Sequence, residues 1–396
     1  MRRRKYCAIL SLFLSAVTFL LVYTSEPVSH QPKWTTVNST SAKGRQGHST
    51  VNSTSAKGRP LSDMNYVKRH TPNESAALEK FQADQKFVQS IPTEAPGWVY
   101  NQSAADLFRR KLINDARLDN GNFLTTQENS PLNAILKTLV PSLNPTKIKV
   151  SSGVFNLFPK ESPFKTKKFQ TCSVVGNGGI LKGSGCGVEI DASEFVFRCN
   201  MAPMYDEHLT DIGKKTSLIT INPTLILYRY HKFSNTTSST KTEYVKAFVR
   251  DLSAYGDSYL LIPAFFNSGS VKIAFLTRQV LRDHSARNEV IFPHPDFVRI
   301  TQSFWRENGL GDKRPSSGLV LLSTAIQICE EVRLYGFWPF HADRNSARLT
   351  EHYYDNALPT NAHSVPDEFR QLQRLHNTGV LRLTTTACQR QDNIYH

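Results

Sequence analysis

From Cys172 onward, short apolar runs rich in β-branched and aromatic residues recur along the chain. They lie at Cys172–Val175, Phe195–Phe197, Ser217–Ile221, Tyr259–Pro263, Glu289–Phe292 and Val332–Tyr335. Such runs read as strands covered on both faces. Stretches of helical character separate several of them, at Thr242–Tyr255, Asp296–Asn308 and Gly318–Glu331. Strands alternating with helices predict an α/β sheet flanked by helices on both sides. Upstream, Leu107, Phe108, Leu112 and Ile113 predict a helix over Ala104–Leu118. Leu132, Ile135, Leu136 and Leu139 predict a second, short helix over Pro131–Val140. With 396 residues, 39% of them apolar, the chain can build a sizeable core, and a collagen-like or wholly disordered chain is excluded. The folded domain is placed at 100–396, with a nucleotide-fold core from about 169.

The N-terminus has a different character. Met1–Lys5 carries four basic residues, and Tyr6–Tyr23 is an uncharged, mostly apolar run of 18. At about 1.5 Å per residue such a helix just spans a hydrocarbon core of roughly 30 Å. Basic residues ahead of the run stay cytoplasmic, so residues 1–5 read as a cytoplasmic tail and 6–23 as a single signal anchor. The alternative is a cleaved signal peptide, but its apolar core is usually shorter and no small-residue cleavage site closes this run. Residues 24–99 read as an extended lumenal stem, rich in Ser, Thr, Lys and Gly, in which TVNSTSAKGR occurs at Thr36–Arg45 and again at Thr50–Arg59. Two copies make a spacer, not a solenoid. Glycosylation acceptors start at Asn38, Asn52, Asn73, Asn101 and Asn235. Beyond the anchor stand Cys172, Cys186, Cys199, Cys329 and Cys388, an odd count that fits two disulfides and one thiol in an oxidising compartment.

Charge then narrows the partners. Lys plus Arg (48) minus Asp plus Glu (33) gives +15. In a lumenal protein this points to an anionic substrate and away from nucleic acid. Three segments carry chemistry. Phe169–Gly185 runs a buried strand into glycine-rich backbone, as nucleotide-binding turns do, yet it matches neither the dinucleotide fingerprint nor a phosphate loop of the Gly-Lys-Ser/Thr kind. Ser316 and Ser317 stand before an apolar helix, where hydroxyls cap free N–H groups and the helix end favours an anion. Finally, His352 and His363 lie with several carboxylates in a polar, aromatic-rich stretch. One histidine can take a proton from a hydroxyl while the other pairs with a phosphate. Their spacing fits no common zinc pattern, and the chain has no Asp-x-Asp, so a site without metal or cofactor is expected.

Together these segments carry a family resemblance. CSVVGNGGILKGSGCGVEIDASEFVFRCN resembles the large sialylmotif of animal sialyltransferases, and KRPSSGLVLLSTAIQICEEVRLYGFWPF the small one. HYYDN resembles the third motif and HSVPDE the very small motif. YGFWPF, HYYDN and the FRCN form are similar to the α-2,8 branch. The resemblance spans about Phe169 to Cys388. It implies a single Rossmann-like GT-A-type variant domain, CMP-sialic acid as donor, sialylated glycoprotein or ganglioside acceptors, and a Golgi membrane location in single-pass type II orientation.

Roles follow residue by residue from the same resemblance. Asn177 and Asn200 match positions that hold CMP, Ser316, Ser317 and Gly318 contact the nucleotide sugar, and Trp338 is an aromatic beside it. His352 matches the histidine on the donor phosphate, His363 the general base, and Glu368 a supporting residue. The implied disulfides are Cys172–Cys329 and Cys186–Cys388, with Cys199 free. Two departures stand out: Ser316-Ser317-Gly318 replaces the common Ser-Thr-Gly, and the link from His352 to His363 is about one residue short. The implied reaction is an inverting single displacement that adds one or a few sialic acids, since Lys272–Arg314 holds no dense basic block for a long polyanion. A sialoglycan-binding protein without turnover is the rival reading.

Overall fold

The computed structural model describes residues 98–115, 121–139, 146–233, 238–310, 315–356 and 365–388, together with 79, 82 and 85–89. All lie in one compact unit, Gly58–His396; the other, Met1–Lys57, lies outside the described residues, as do the apolar run 6–23, four of the glycosylation acceptors and His363. Among the described residues no helix is long and apolar enough to cross a membrane.

Seven strands form one sheet: β3 (Phe169–Val175), β4 (Phe195–Arg198), β5 (Leu218–Thr220), β6 (Tyr259–Leu261), β7 (Glu289–Ile291), β8 (Cys329–Tyr335) and β9 (Arg382–Thr384). The order is β7-β6-β5-β4-β3-β8-β9, and every pairing is parallel. Alternation along each strand sends residues to opposite faces. Cys172, Val174, Phe195, Phe197, Leu218, Leu261, Ile291, Val332 and Leu334 join one apolar cluster. Their neighbours go to the other face: Val175, Val196 and Tyr335 in one cluster, Ile219, Leu260 and Val290 in another. Helices cover both. Ser317–Ile328 and Pro295–Trp305 pack on the first face, Pro223–Arg229 and Ser268–Asp283 on the second.

Two expectations fail. The helix expected over Pro131–Val140 is absent from the described residues 131–139: they form a turn, then strand β1 (Ile135–Lys137), paired antiparallel with β2 (Lys147–Lys149). Asn133, at φ 69°, breaks any helix there, and exposure alternates, with Ile135 out and Leu136 in. The helix predicted over Gly318–Glu331 ends at Ile328, and Cys329 to Glu331 open β8. Cys329 therefore stands on a strand beside β3, not in the helix. Elsewhere shifts are small: the Ala104–Leu118 helix runs over Gln102–Arg110 and continues as a wider turn to Asp115.

Candidate active site

The chain builds the sheet outward from β3 to β7 and then returns to lay β8 on the other side of β3. At such a reversal, the loops leaving the carboxyl ends of neighbouring strands commonly border a ligand crevice. Here the first loop is Gly176-Asn177-Gly178-Gly179 and the second Gly336-Phe337-Trp338. They touch backbone to backbone: Gly176 N–H donates to the Tyr335 carbonyl at 2.7 Å and Gly178 N–H to that of Gly336 at 3.0 Å. A Cβ on Gly178 would fall 2.6 Å from the Gly336 oxygen, so only glycine fits that approach.

The histidine-bearing loop closes on the same turn. Tyr353 N–H donates to the Asn177 carbonyl at 3.0 Å, and Gly178 forms a bridge with His352. The His352 ring stacks on Tyr354 at 5.0 Å, and its Nδ1 bonds Asp355 Oδ2 at 2.7 Å. With the carboxylate taking Nδ1–H, Nε2 is the nitrogen presented to a ligand. Asp355 is thus a site residue that the motif alone did not single out, although its position three residues after a histidine was a usable signal.

Asn177 and Asn200 are brought together and oriented. Asn177 Nδ2 donates to the Cys199 carbonyl at 3.0 Å, leaving its oxygen as the outward group. Asn200 Oδ1 accepts from Asn222 N–H at 3.1 Å, leaving its NH₂. Asn222 in turn lines a cavity of about 210 Å³ at the carboxyl ends of β5 and β6, shared with Thr220, Pro263, Asn267, Ser270 and Ser317.

Ser316 is the N-cap of its helix, its hydroxyl accepting from Leu319 N–H at 3.2 Å. Its own N–H donates to Glu368 Oε1 at 2.7 Å. Glu368, on the helix Val365–Asn377, is 4% exposed; burial raises its carboxyl above the usual range, opposed by the hydrogen bonds from Ser316. Ser317, in the first turn of the Ser317–Ile328 helix, lines the same cavity, and a helix start of this kind attracts anions through its N–H groups. Phe337, not singled out by the motif, packs beneath it: a Cβ on Gly318 would meet the Phe337 ring at 2.5 Å. Trp338 lies deeper. It is 5% exposed, packs on Phe340 and Phe369, and donates its indole N–H to the Ala342 carbonyl at 2.8 Å. Its place is in the core behind the crevice.

Disulfides Cys172–Cys329 and Cys186–Cys388 frame the site, joining residues 157 and 202 apart. Cys199 is a buried thiol whose pKa burial pushes up to about 12, which makes it inert. Asn101 is exposed and its side chain caps the Gln102–Arg110 helix. Among the described residues no group of three or more His, Cys, Asp or Glu is placed to hold a metal ion.

Comparison with known proteins brings these motifs into one frame. Residues 123–380 match the model of glycosyltransferase family 29 (sialyltransferase). Alpha-2,8-sialyltransferase 8F of Mus musculus is 37% identical over 311 residues, covering 78% of this chain and 75% of that one. Alpha-N-acetylneuraminide alpha-2,8-sialyltransferase of Xenopus tropicalis is 37% identical over 306 residues, 77% of this chain and 85% of that one. A crystal structure of a mammalian sialyltransferase aligns with 83% of this chain and 100% of its own at 18% identity, with a TM-score of 0.41. On the family match and these identities, the chain belongs to glycosyltransferase family 29, the sialyltransferases.

Proposed function

We propose that this sialyltransferase moves sialic acid from CMP-sialic acid onto a terminal sialic acid of a glycoprotein or ganglioside glycan, in α-2,8 linkage. The linkage is supported by the names of its relatives. The donor site is supported above all by one observation: the GNGG turn of β3 and His352 meet as a bridge at the β3–β8 reversal. The domain reads as a Rossmann-like GT-A-type variant in the Golgi lumen, held behind an anchor over 6–23.

The mechanism follows from charge movement. Sialic acid's anomeric carbon carries a carboxylate and no hydrogen, so the transition state has oxocarbenium character and CMP leaves as its phosphate gains charge. His352, donating from Nε2–H when protonated, and the N–H groups of Ser317 and Gly318 at the helix start receive that charge. Asn177 and Asn200, each with one amide end already engaged, offer a fixed acceptor and a fixed donor to the nucleotide. His363 takes the proton from the attacking hydroxyl on the opposite face, so one displacement inverts configuration. Tyr354 and Asp355 hold the His352 ring, which limits the reorganisation needed on the phosphate side.

The test is transfer by the full chain to an α-2,3-sialylated lactose acceptor, with product linkage read by NMR. The expected product carries one to a few added sialic acids in α-2,8 linkage; CMP binding without any transfer would favour the binding-protein reading. Activity should also survive EDTA. Loss on chelation with recovery in Mn²⁺ would overturn the metal-independent phosphate site.

A further inference from the structure

Past β4, Asn200 (φ 53°) and Met201 (φ 47°) are both left-handed, two successive non-glycine residues in a region that L side chains rarely adopt. Such a pair is strained and persists only where its surroundings impose it. What imposes it here is a set of side chains, not a backbone ladder. The Cys199 carbonyl accepts from Asn177, the Met201 carbonyl from Arg229 Nη1 at 3.3 Å, the Ala202 carbonyl from the Tyr255 hydroxyl, and the Pro203 carbonyl from the Tyr353 hydroxyl at 2.7 Å. Thr220 Oγ1 takes Asn200 N–H at 2.8 Å.

These donors come from separate segments: the β3 turn, the helix Pro223–Arg229, the turn after the helix Ser238–Ser253, and the loop bearing His352. Tyr255 is the one furthest from any recognised motif. It is 4% exposed and packs in the second-face cluster with Met201, Tyr230 and Phe248. Burial pushes its hydroxyl well above the ordinary tyrosine range, so it stays a neutral donor. Met201 and Ala202 are 1% and 6% exposed, so the carbonyl that accepts from the hydroxyl belongs to buried residues.

We infer that Tyr255 is a positioning residue for the sugar-nucleotide donor, holding the left-handed Asn200–Met201 turn so that the Asn200 amide faces the nucleotide. The inference rests on the proposed donor site at Asn200. Without the hydroxyl, the Ala202 carbonyl is left buried without that partner and the turn relaxes toward ordinary backbone, carrying Asn200 with it.

The experiment compares Tyr255→Phe with Tyr230→Phe in the full chain. Tyr230 sits in the same cluster, but its hydroxyl donates to Asp251 Oδ2 at 2.9 Å and reaches the turn only indirectly, through Arg229. Tyr255→Phe should raise the Kd for CMP and the donor KM about tenfold, with kcat and acceptor KM within about twofold, since a buried carbonyl has lost its donor. Tyr230→Phe, one step removed through Arg229, should lower the melting temperature and leave CMP affinity within about twofold. Should Tyr255→Phe not fold, Arg229→Lys, which loses the reach to the Met201 carbonyl, is read by the same split. Equal CMP affinity in Tyr255→Phe and wild type, or equal losses in the two tyrosine variants, would overturn the inference. Absence of CMP binding by the wild-type chain would instead remove the donor site itself, and the inference with it.

Discussion

Strands β3 and β8 are seven residues long, share six registered pairs, and are joined by Cys172–Cys329. The other wing, β5 to β7, is made of three-residue strands with no cysteine between Ser217 and Ile328. Short ladders and packing hold it: Phe158, Phe265, Phe275 and Phe292 meet at ring distances of 5.6 to 6.5 Å. The difference has a physical reason. In the β3–β8 half, loops far apart in sequence must meet to within ångströms to form the crevice, and a crosslink closing a loop of 157 or 202 residues removes much unfolded-chain entropy. The outer wing is wound from local strand–helix steps and needs no such closure.

The largest test of that contrast is reduction. Each bridge should contribute about 4 to 5 kcal/mol by chain-entropy models. Reduced protein should lose CMP binding at temperatures where far-UV circular dichroism still reports the sheet; parallel loss of both signals would show that the two halves do not differ. Next is Phe292→Ala in the outer wing. Removing a ring that is fully buried should cost about 3 to 5 kcal/mol in denaturant unfolding. CMP affinity should hold as long as the protein stays folded, and a matching loss of affinity would mean the wing shapes the crevice.

Smaller still is Glu368→Gln. A carboxyl raised by burial adds stability only while protonated, and that contribution is lost as pH rises through its folded pKa. The amide keeps an acceptor for Ser316 N–H without the buried charge, so the variant should melt higher than wild type at pH 7. The advantage should shrink as pH falls through the carboxylate range. An unchanged difference across pH would deny that Glu368 is charged in its buried position.

Much of the sheet was legible because fully apolar runs such as FVF and YLLIP have few other ways to be buried. Pro131–Val140 misled because its leucines happen to fall at helical spacing, while the deciding facts, a left-handed Asn133 and a partner strand at Lys147–Lys149, are not local. Cys329 was misplaced because its helix runs straight into β8 without a glycine or proline stop. The site was legible as four strings, and three of them meet where the sheet reverses. Orientation was not legible. That Phe337 supports Gly318 and that Tyr255 reaches the Ala202 carbonyl are tertiary facts, whereas Asp355, three residues after His352, was a local signal. Trp338 shows the same limit from the other side: its ring belongs to the core, between Phe340 and Phe369.

The account places nucleotide binding in the β3–β8 half and the proton transfer on His363, so the two functions should separate in one variant. The direct measurement is titration calorimetry of CMP into wild type and His363→Ala, paired with transfer rates. CMP should bind both with equal affinity, while transfer falls by about 10² to 10⁴ in the variant. Near-normal transfer by His363→Ala, or loss of CMP binding along with transfer, would contradict it.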